Sequence, residues 1–155
     1  MKIAVLTVLV LTLLGCGNPE AGLVGRWRAD VQLTPAEKAS SGADRITALA
    51  GGSLDLRDDH KFTRTFGNAI TSTGTWSLTD GVVVLTALQL NGLPVEEARQ
   101  RILKMAARRP NPALATKVAN DLGKPERLRL SPDRKSMAHE DQRAGAGTIT
   151  FVKIG

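Results

Sequence analysis

Apolar side chains recur at every second position through most of the chain after residue 23, and this rhythm constrains the fold more than any other feature. It is cleanest over 23–33, where Trp27, Ala29, Val31 and Leu33 fall on one side of an extended segment and Arg26, Arg28, Asp30 and Gln32 on the other. Leu54 and Leu56 repeat it over 53–57. In 61–66, Phe62 and Phe66 are positioned alike with Arg64 between them. A polar connection is expected over 68–72, then a strand over 74–78 carrying Trp76, then a hairpin turn at Asp80-Gly81 into 82–90. Further strands are expected over 127–130, 135–139 and 148–154, the first two joined by a turn at 131–134.

Two stretches change the period. Thr34-Pro35-Ala36-Glu37 has the pattern of a helix capping box, and a short helical segment follows, interrupted by Gly42 and ended by Gly51-Gly52. From Pro94 to Arg109, Val95, Ala98, Ile102, Met105 and Ala106 recur at helical spacing, with Glu96 and Glu97 in the first turn and Arg108-Arg109 in the last. Asn111-Pro112 restarts a second helix with Leu114, Ala115, Val118 and Leu122 on one face, stopped by Gly123 and Pro125. The result is a helical hairpin inserted among strands that are expected to pair as antiparallel neighbours.

The N-terminus has a different composition. Met1-Lys2 gives a short positive start, and residues 3–14 form an apolar run broken only by Thr7 and Thr12, which is the layout of a secretory signal. The run is shorter than the ~20 residues needed to span a bilayer. It ends in Leu13-Leu14-Gly15-Cys16, which resembles the lipobox of bacterial lipoproteins. That resemblance implies cleavage after Gly15 and acyl chains, palmitate among them, on Cys16. Residues 16–22 then read as an acylated tether and 23–155 as one domain with its helical insertion at 94–122. Since Gly17 follows the cysteine, the implied location is the cell envelope, on the periplasmic side of the outer membrane if the host is Gram-negative.

Removing residues 1–15 from the 155 leaves 140, enough for one ordinary core. Cys16 is the only cysteine, so no internal disulfide can form and stability has to come from packing. The formal charge of +6 falls to +5 when Lys2 leaves, a surplus that favours anionic lipid or acidic partners. Nucleic acid is not expected as a partner of an exported chain.

The strand succession opens on Gly25-Arg26-Trp27 and so resembles the lipocalin-like, or calycin, group of small antiparallel barrels. The resemblance implies that Trp27 closes one end of the barrel beneath a late arginine, for which Arg127, Arg129 and Arg143 are the candidates. The group's Thr-Asp-Tyr motif is absent, and the chain has no tyrosine. The expected fold is therefore all-β: a single antiparallel barrel of about eight strands, closed or incomplete, with inserted helices.

Little chemistry is legible. His60 beside Asp58 and Asp59, and His139 before Glu140-Asp141, lack the spacing of a specific metal site and read better as solvated turn charges. No Gly-x-Ser-x-Gly elbow is present and the sole cysteine is committed to lipid, so no catalytic residue, metal or cofactor is assigned. Arg99, Arg101, Lys104, Arg108, Arg109 and Lys117 concentrate charge on the inserted helices. These could touch an anionic membrane, and the solvated outer face of the helices is the preferred reading. Two functions follow as expectations. One is a non-enzymatic, membrane-anchored envelope protein that binds a small apolar or amphipathic ligand in the barrel. The other is an envelope interaction or assembly protein with a self-filled barrel and the inserted helices as its contact surface.

Overall fold

The computed structural model describes residues 18–39, 47, 51–67, 69–108, 112–141 and 148–154. Among these residues lie nine strands and three short helices. In chain order they are β1 (Gly25–Gln32), α1 (Pro35–Lys38), β2 (Gly52–Leu56), β3 (Lys61–Phe66), β4 (Ile70–Thr79), β5 (Val82–Leu90), β6 (Leu93–Pro94), α2 (Val95–Ala106), α3 (Ala113–Asp121), β7 (Glu126–Leu130), β8 (Ser136–His139) and β9 (Thr148–Lys153).

All the pairings are antiparallel. The strand order is β4-β3-β2-β1-β9-β8-β7-β5, and β5 pairs back onto β4, so eight strands form a closed barrel. The two-residue β6 extends the rim beyond β5. Closure settles the alternative left open by the sequence, and it removes the exposed edges on which an open sheet would aggregate.

The alternation in β1 is the observed burial pattern: Trp27 is buried, Ala29 and Val31 are half-buried, and Arg26, Arg28, Asp30 and Gln32 are exposed. Leu54, Leu56, Phe62, Trp76, Leu85, Leu128, Met137 and Phe151 join Trp27 in one core. Burying each of these large side chains contributes roughly 1.5–3 kcal/mol. Asp80-Gly81 and Asn91-Gly92 both make tight turns with two consecutive positive φ angles, 52° and 74° in the first, 50° and 77° in the second. Such turns match the twist of the strands they join.

β4 begins at Ile70 and not at Gly74. The polar run expected as a connection is strand because Thr71 and Ser72 pair with Thr65 and Arg64 of β3, and the Thr71 amide donates to Asn91 Oδ1 at 2.8 Å. A register shift between Thr73 and Gly74 marks a bulge. A Cβ on Gly74 would collide with the Thr86 carbonyl oxygen and lie 2.9 Å from the Phe62 ring, so the close approach there admits only glycine.

The capping box at Thr34 forms as expected: the Glu37 amide donates to Thr34 Oγ1 at 3.2 Å and the Thr34 amide to Glu37 Oε2 at 2.8 Å. The inward faces of α2 and α3 follow expectation except at Met105 and Val118. Ala98 and Ala106 are buried on α2 and Ala119 on α3, whereas Met105 and Val118 are exposed. Small residues line the contact because the helices approach closely. A Cβ on Gly123 would meet Val95 at 2.8 Å.

The barrel has two unlike ends. At one lie the turns over 57–60, 80–81 and 131–135, tied to neighbouring strands by backbone hydrogen bonds from Trp76 to His60, Leu130 to Gly81 and Lys153 to Lys135, and the incoming segment 18–24 packs against the first of these turns. Trp27 and Trp76 close this tryptophan end, and their indole Nε1 groups donate to the Leu23 and Arg57 carbonyls at 3.0 and 2.9 Å. The helices attach at the other, helical end. Gly74→Ala is expected to cost at least about 2 kcal/mol in chemical denaturation, because backbone must shift to admit the methyl. Gly81→Asn, in open space at a turn, should cost under about 1 kcal/mol.

Candidate functional site

Because β3 alternates, Arg64 must point the same way as Phe62, into the barrel. It is only 5% exposed. Glu126 has the parity of Leu128 on β7, and His139 the parity of Met137 on β8, so both also face inward. Strand order brings the three together. Arg64 Nη1 donates to both carboxylate oxygens of Glu126, and its guanidinium carbon lies 4.2 Å above the Phe66 ring and 4.9 Å above Phe151. His139 Nε2 is 3.1 Å from Glu126 Oε1 but is not aligned for a hydrogen bond, and it is shut off from solvent.

Burial sets the electrostatics here. Desolvation pushes the Arg64 guanidinium below its usual range while Glu126 pulls it back up, and it stays charged at any physiological pH. For His139, burial lowers the imidazole below its ordinary 6.5, Glu126 opposes this, Arg64 adds to it, and Asp141 opposes it. His139 is thus held neutral beside an ion pair.

A cleft of about 290 Å³ opens against this cluster, between the barrel mouth and the end of α3. Phe66, Ala87, Leu90, Val118 and Leu122 give it apolar walls, and Ser72 and Glu126 polar ones, with Asp121 and Lys124 at its rim. Arg99 fixes the helices beside it. Its Nε donates to the Ala119 carbonyl at 3.1 Å, Nη2 to the Leu122 carbonyl at 2.6 Å, and Nη1 to Glu96 at 2.5 Å. Those carbonyls are ones that the last turn of α3 leaves without helical partners.

Several residues singled out in the sequence are placed differently. Cys16, Arg109 and Arg143 lie outside the described residues. His139 is not a solvated turn charge but part of the interior cluster, while the neighbouring Glu140 faces outward and accepts from both Arg127 and Arg129. Those two arginines therefore do not cover Trp27. Lys153 does, with Nζ 5.6 Å from the ring centroid. His60 is exposed, tilted against Trp76 at 5.1 Å between ring centroids and 3.5 Å from Glu20. The basic face of the helices is partly neutralised: Arg99 is used as described, Arg101 pairs with Glu97 at 2.7 Å and Lys117 with Asp121 at 3.3 Å. Among the described residues no group of three or more His, Cys, Asp or Glu side chains is arranged to hold a metal.

Arg64, Glu126 and His139 were the residues missed as a site. The available signal was parity, since each is a charged or polar residue in register with buried apolar neighbours on its own strand.

The fold and site together define a closed antiparallel β-barrel with a helical hairpin at one end and an ion pair inside it. No protein-family model matches the chain. No curated protein matches it. Among solved structures, a DUF4847 family protein from Bacteroides vulgatus ATCC 8482 is similar at 14% identity, with a TM-score of 0.43, over 88% of this chain and 96% of that one. The reading of the barrel therefore rests on its own residues.

Two outcomes follow from the cluster. Glu126→Ala, which strands the buried Arg64 charge, should destabilise the fold by about 3–5 kcal/mol in urea, whereas Arg64→Met with Glu126→Leu should be close to neutral. The neutral His139 contributes stability that is complete above pH 6.5 and is lost as pH falls from there through its lowered folded value. A urea midpoint series from pH 8 to pH 5 should show this loss, and His139→Gln should flatten it.

Proposed function

We propose that this chain is an exported envelope lipoprotein, tethered through acylated Cys16, that works by binding and not by catalysis. Its ligand is a small amphipathic molecule. The observation that carries the binding part is the buried Arg64–Glu126 pair at the foot of an apolar cleft. An ion pair inside a barrel costs desolvation that well-packed apolar residues of the same volume would avoid. A polar group of this kind beside apolar walls is what an amphipathic guest needs to be oriented. The hydrocarbon part would lie on Phe66, Leu90, Val118 and Leu122, with the head toward Ser72 and Glu126. At about 290 Å³ the cleft suits a short chain. The lipobox spelling at residues 13–16 and the signal layout before it support the tether, and the Gly-x-Trp at the start of β1 supports likeness to the lipocalin group.

The second reading, an assembly protein that docks through its helices, is favoured by Met105 and Val118, which stand 56% and 49% exposed on α2 and α3. Calorimetry separates the two. The chain from residue 17 onward should bind decylammonium, whose cationic head suits Glu126, and Val118→Trp, which fills the cleft from an exposed position, should weaken binding by about tenfold or more without unfolding the protein. Absence of binding by the wild type, or an unchanged Val118→Trp, overturns the ligand site and leaves the helical surface to be tested by pull-down with Arg101→Glu and Lys104→Glu. Metabolic labelling with radioactive palmitate should mark the wild type and not Cys16→Ala, and an unmarked wild type overturns the tether.

A further inference from the structure

The segment expected as a tether is held against the barrel from Asn18 onward. The Ala21 amide donates to the Asn18 carbonyl at 3.1 Å and the Leu23 amide to the Glu20 carbonyl at 2.8 Å, so residues 18–23 fold into turns. Leu23 is fully buried. The Gly22 carbonyl accepts from Lys153 Nζ, the Leu23 carbonyl from the Trp27 indole at 3.0 Å, and Glu20 lies 3.5 Å from His60. Asn18, Glu20, Ala21 and Val24 line a hollow of about 290 Å³ against Asp58, His60 and Trp76. Every one of these contacts is at the tryptophan end.

The covalent distance left between this docked segment and Cys16 is two Cα-to-Cα steps, which reach at most roughly 7 Å. An acylated Cys16 therefore holds the tryptophan end at the lipid. We infer that the barrel stands on the phospholipid surface on this end, with the turns over 57–60, 80–81 and 131–135 against the headgroups and the cleft turned away from the membrane. The inference rests on the proposed acylation of Cys16.

The occupant of this face is the membrane that carries the anchor, because tether length and not charge selects it. The face is electrically mixed. Arg57, Lys61, Arg134 and Lys135 are exposed there, as are Asp58, Asp59, Asp80 and Asp133, and Asp59 pairs with both Arg57 and Lys61. Ile154, 44% exposed, adds an apolar contact at the same rim. The cleft lies a strand away. The nine residues of β5 run roughly 30 Å, or roughly 20 Å along the axis of a tilted barrel. That exceeds the screening length of about 8 Å at physiological salt, so the cleft and the ends of α2 and α3 beside it are not drawn to anionic lipid. The ligand site then opens to the aqueous compartment, and an amphipathic guest reaches it from there or from a partner facing the anchored membrane.

The full-length acylated lipoprotein allows a direct test, since its only native thiol is consumed by lipid and an introduced cysteine is the sole labelling site. Arg134→Cys and, as a second position at the same end, Lys135→Cys would carry an environment-sensitive fluorophore, as would Asn120→Cys beside the cleft. The proteins would be reconstituted in phosphatidylcholine vesicles with and without a lipid quencher near the headgroups. Labels at 134 and 135 should be quenched several-fold more than the label at 120, and equally at high salt. Equal quenching at both ends, stronger quenching at 120, or loss of the difference at high salt overturns the orientation. Intact-mass measurement of the same samples distinguishes the two failures: protein without acyl mass overturns the tether and the orientation with it, whereas fully acylated protein with the wrong quenching overturns the orientation alone.

Discussion

The pairing of β1 with β9, from Trp27 opposite Lys153 to Gln32 opposite Thr148, joins the start of the domain to its end and leaves the sheet without a seam. Once that register and the β4–β5 pairing are in place, every residue of the eight strands faces either solvent or one enclosed interior, and a one-residue slip in any strand would exchange the two sets. The position of Arg64 is a consequence. Its register with Leu54 on β2 and Ser72 on β4 gives it no route to the outside. Its charge must therefore be answered from across the barrel, and Glu126 answers it from β7, 62 residues away in sequence.

This division explains what could be read from the sequence. Strand parity is local, so Trp27, Leu54, Leu56 and Phe62 were assigned to the core from their neighbours alone, and Asp80-Gly81 identified its own turn. The β4 start was hidden because Thr71 and Ser72 look like loop residues until β3 and Asn91 are set beside them. The cation over Trp27 was hidden for the same reason. The candidates were arginines, and two of them turn outward to Glu140, while Lys153 occupies the place because β9 pairs with β1 at that residue. The Arg64–Glu126–His139 cluster was legible only in part: parity aligned Arg64 with Phe62 and Phe66, but Glu126 fell just before the strand expected over 127–130, His139 was read as a turn charge, and only the strand order could say that the three meet. On the helices, Ala98 and Ala106 were expected inward and lie there, whereas Met105 and Val118 were expected inward and are exposed, and Ala119 takes the buried place on α3.

The two ends of the barrel differ in the means by which they satisfy polar groups. At the tryptophan end, indole N–H groups meet backbone carbonyls of the adjoining segment, so packing and hydrogen bonding reinforce one another and no net charge is buried. At the helical end, charge is buried and must be neutralised by a partner. Burial first, and the Arg64 charge after it, hold the His139 imidazole below its ordinary value there, against the pull of Glu126. A fold that kept only stability would have no use for the second arrangement, and this contrast makes the helical end the more sensitive of the two to pH and to any guest competing for Glu126.

Lys153 ties the last strand to the segment that enters the first. Its ammonium lies over the Trp27 ring and donates to the Gly22 carbonyl. An arginine in that place would stack its flat guanidinium on the indole and spread its donors in one plane. The compact lysine ammonium can instead sit over the ring and still direct a proton sideways to the incoming chain. The last strand thus holds the first turn of the domain through a single side chain, next to the fully buried Leu23. The strand pair that closes the barrel therefore also fastens the segment that enters it, beside the contact of Glu20 with His60.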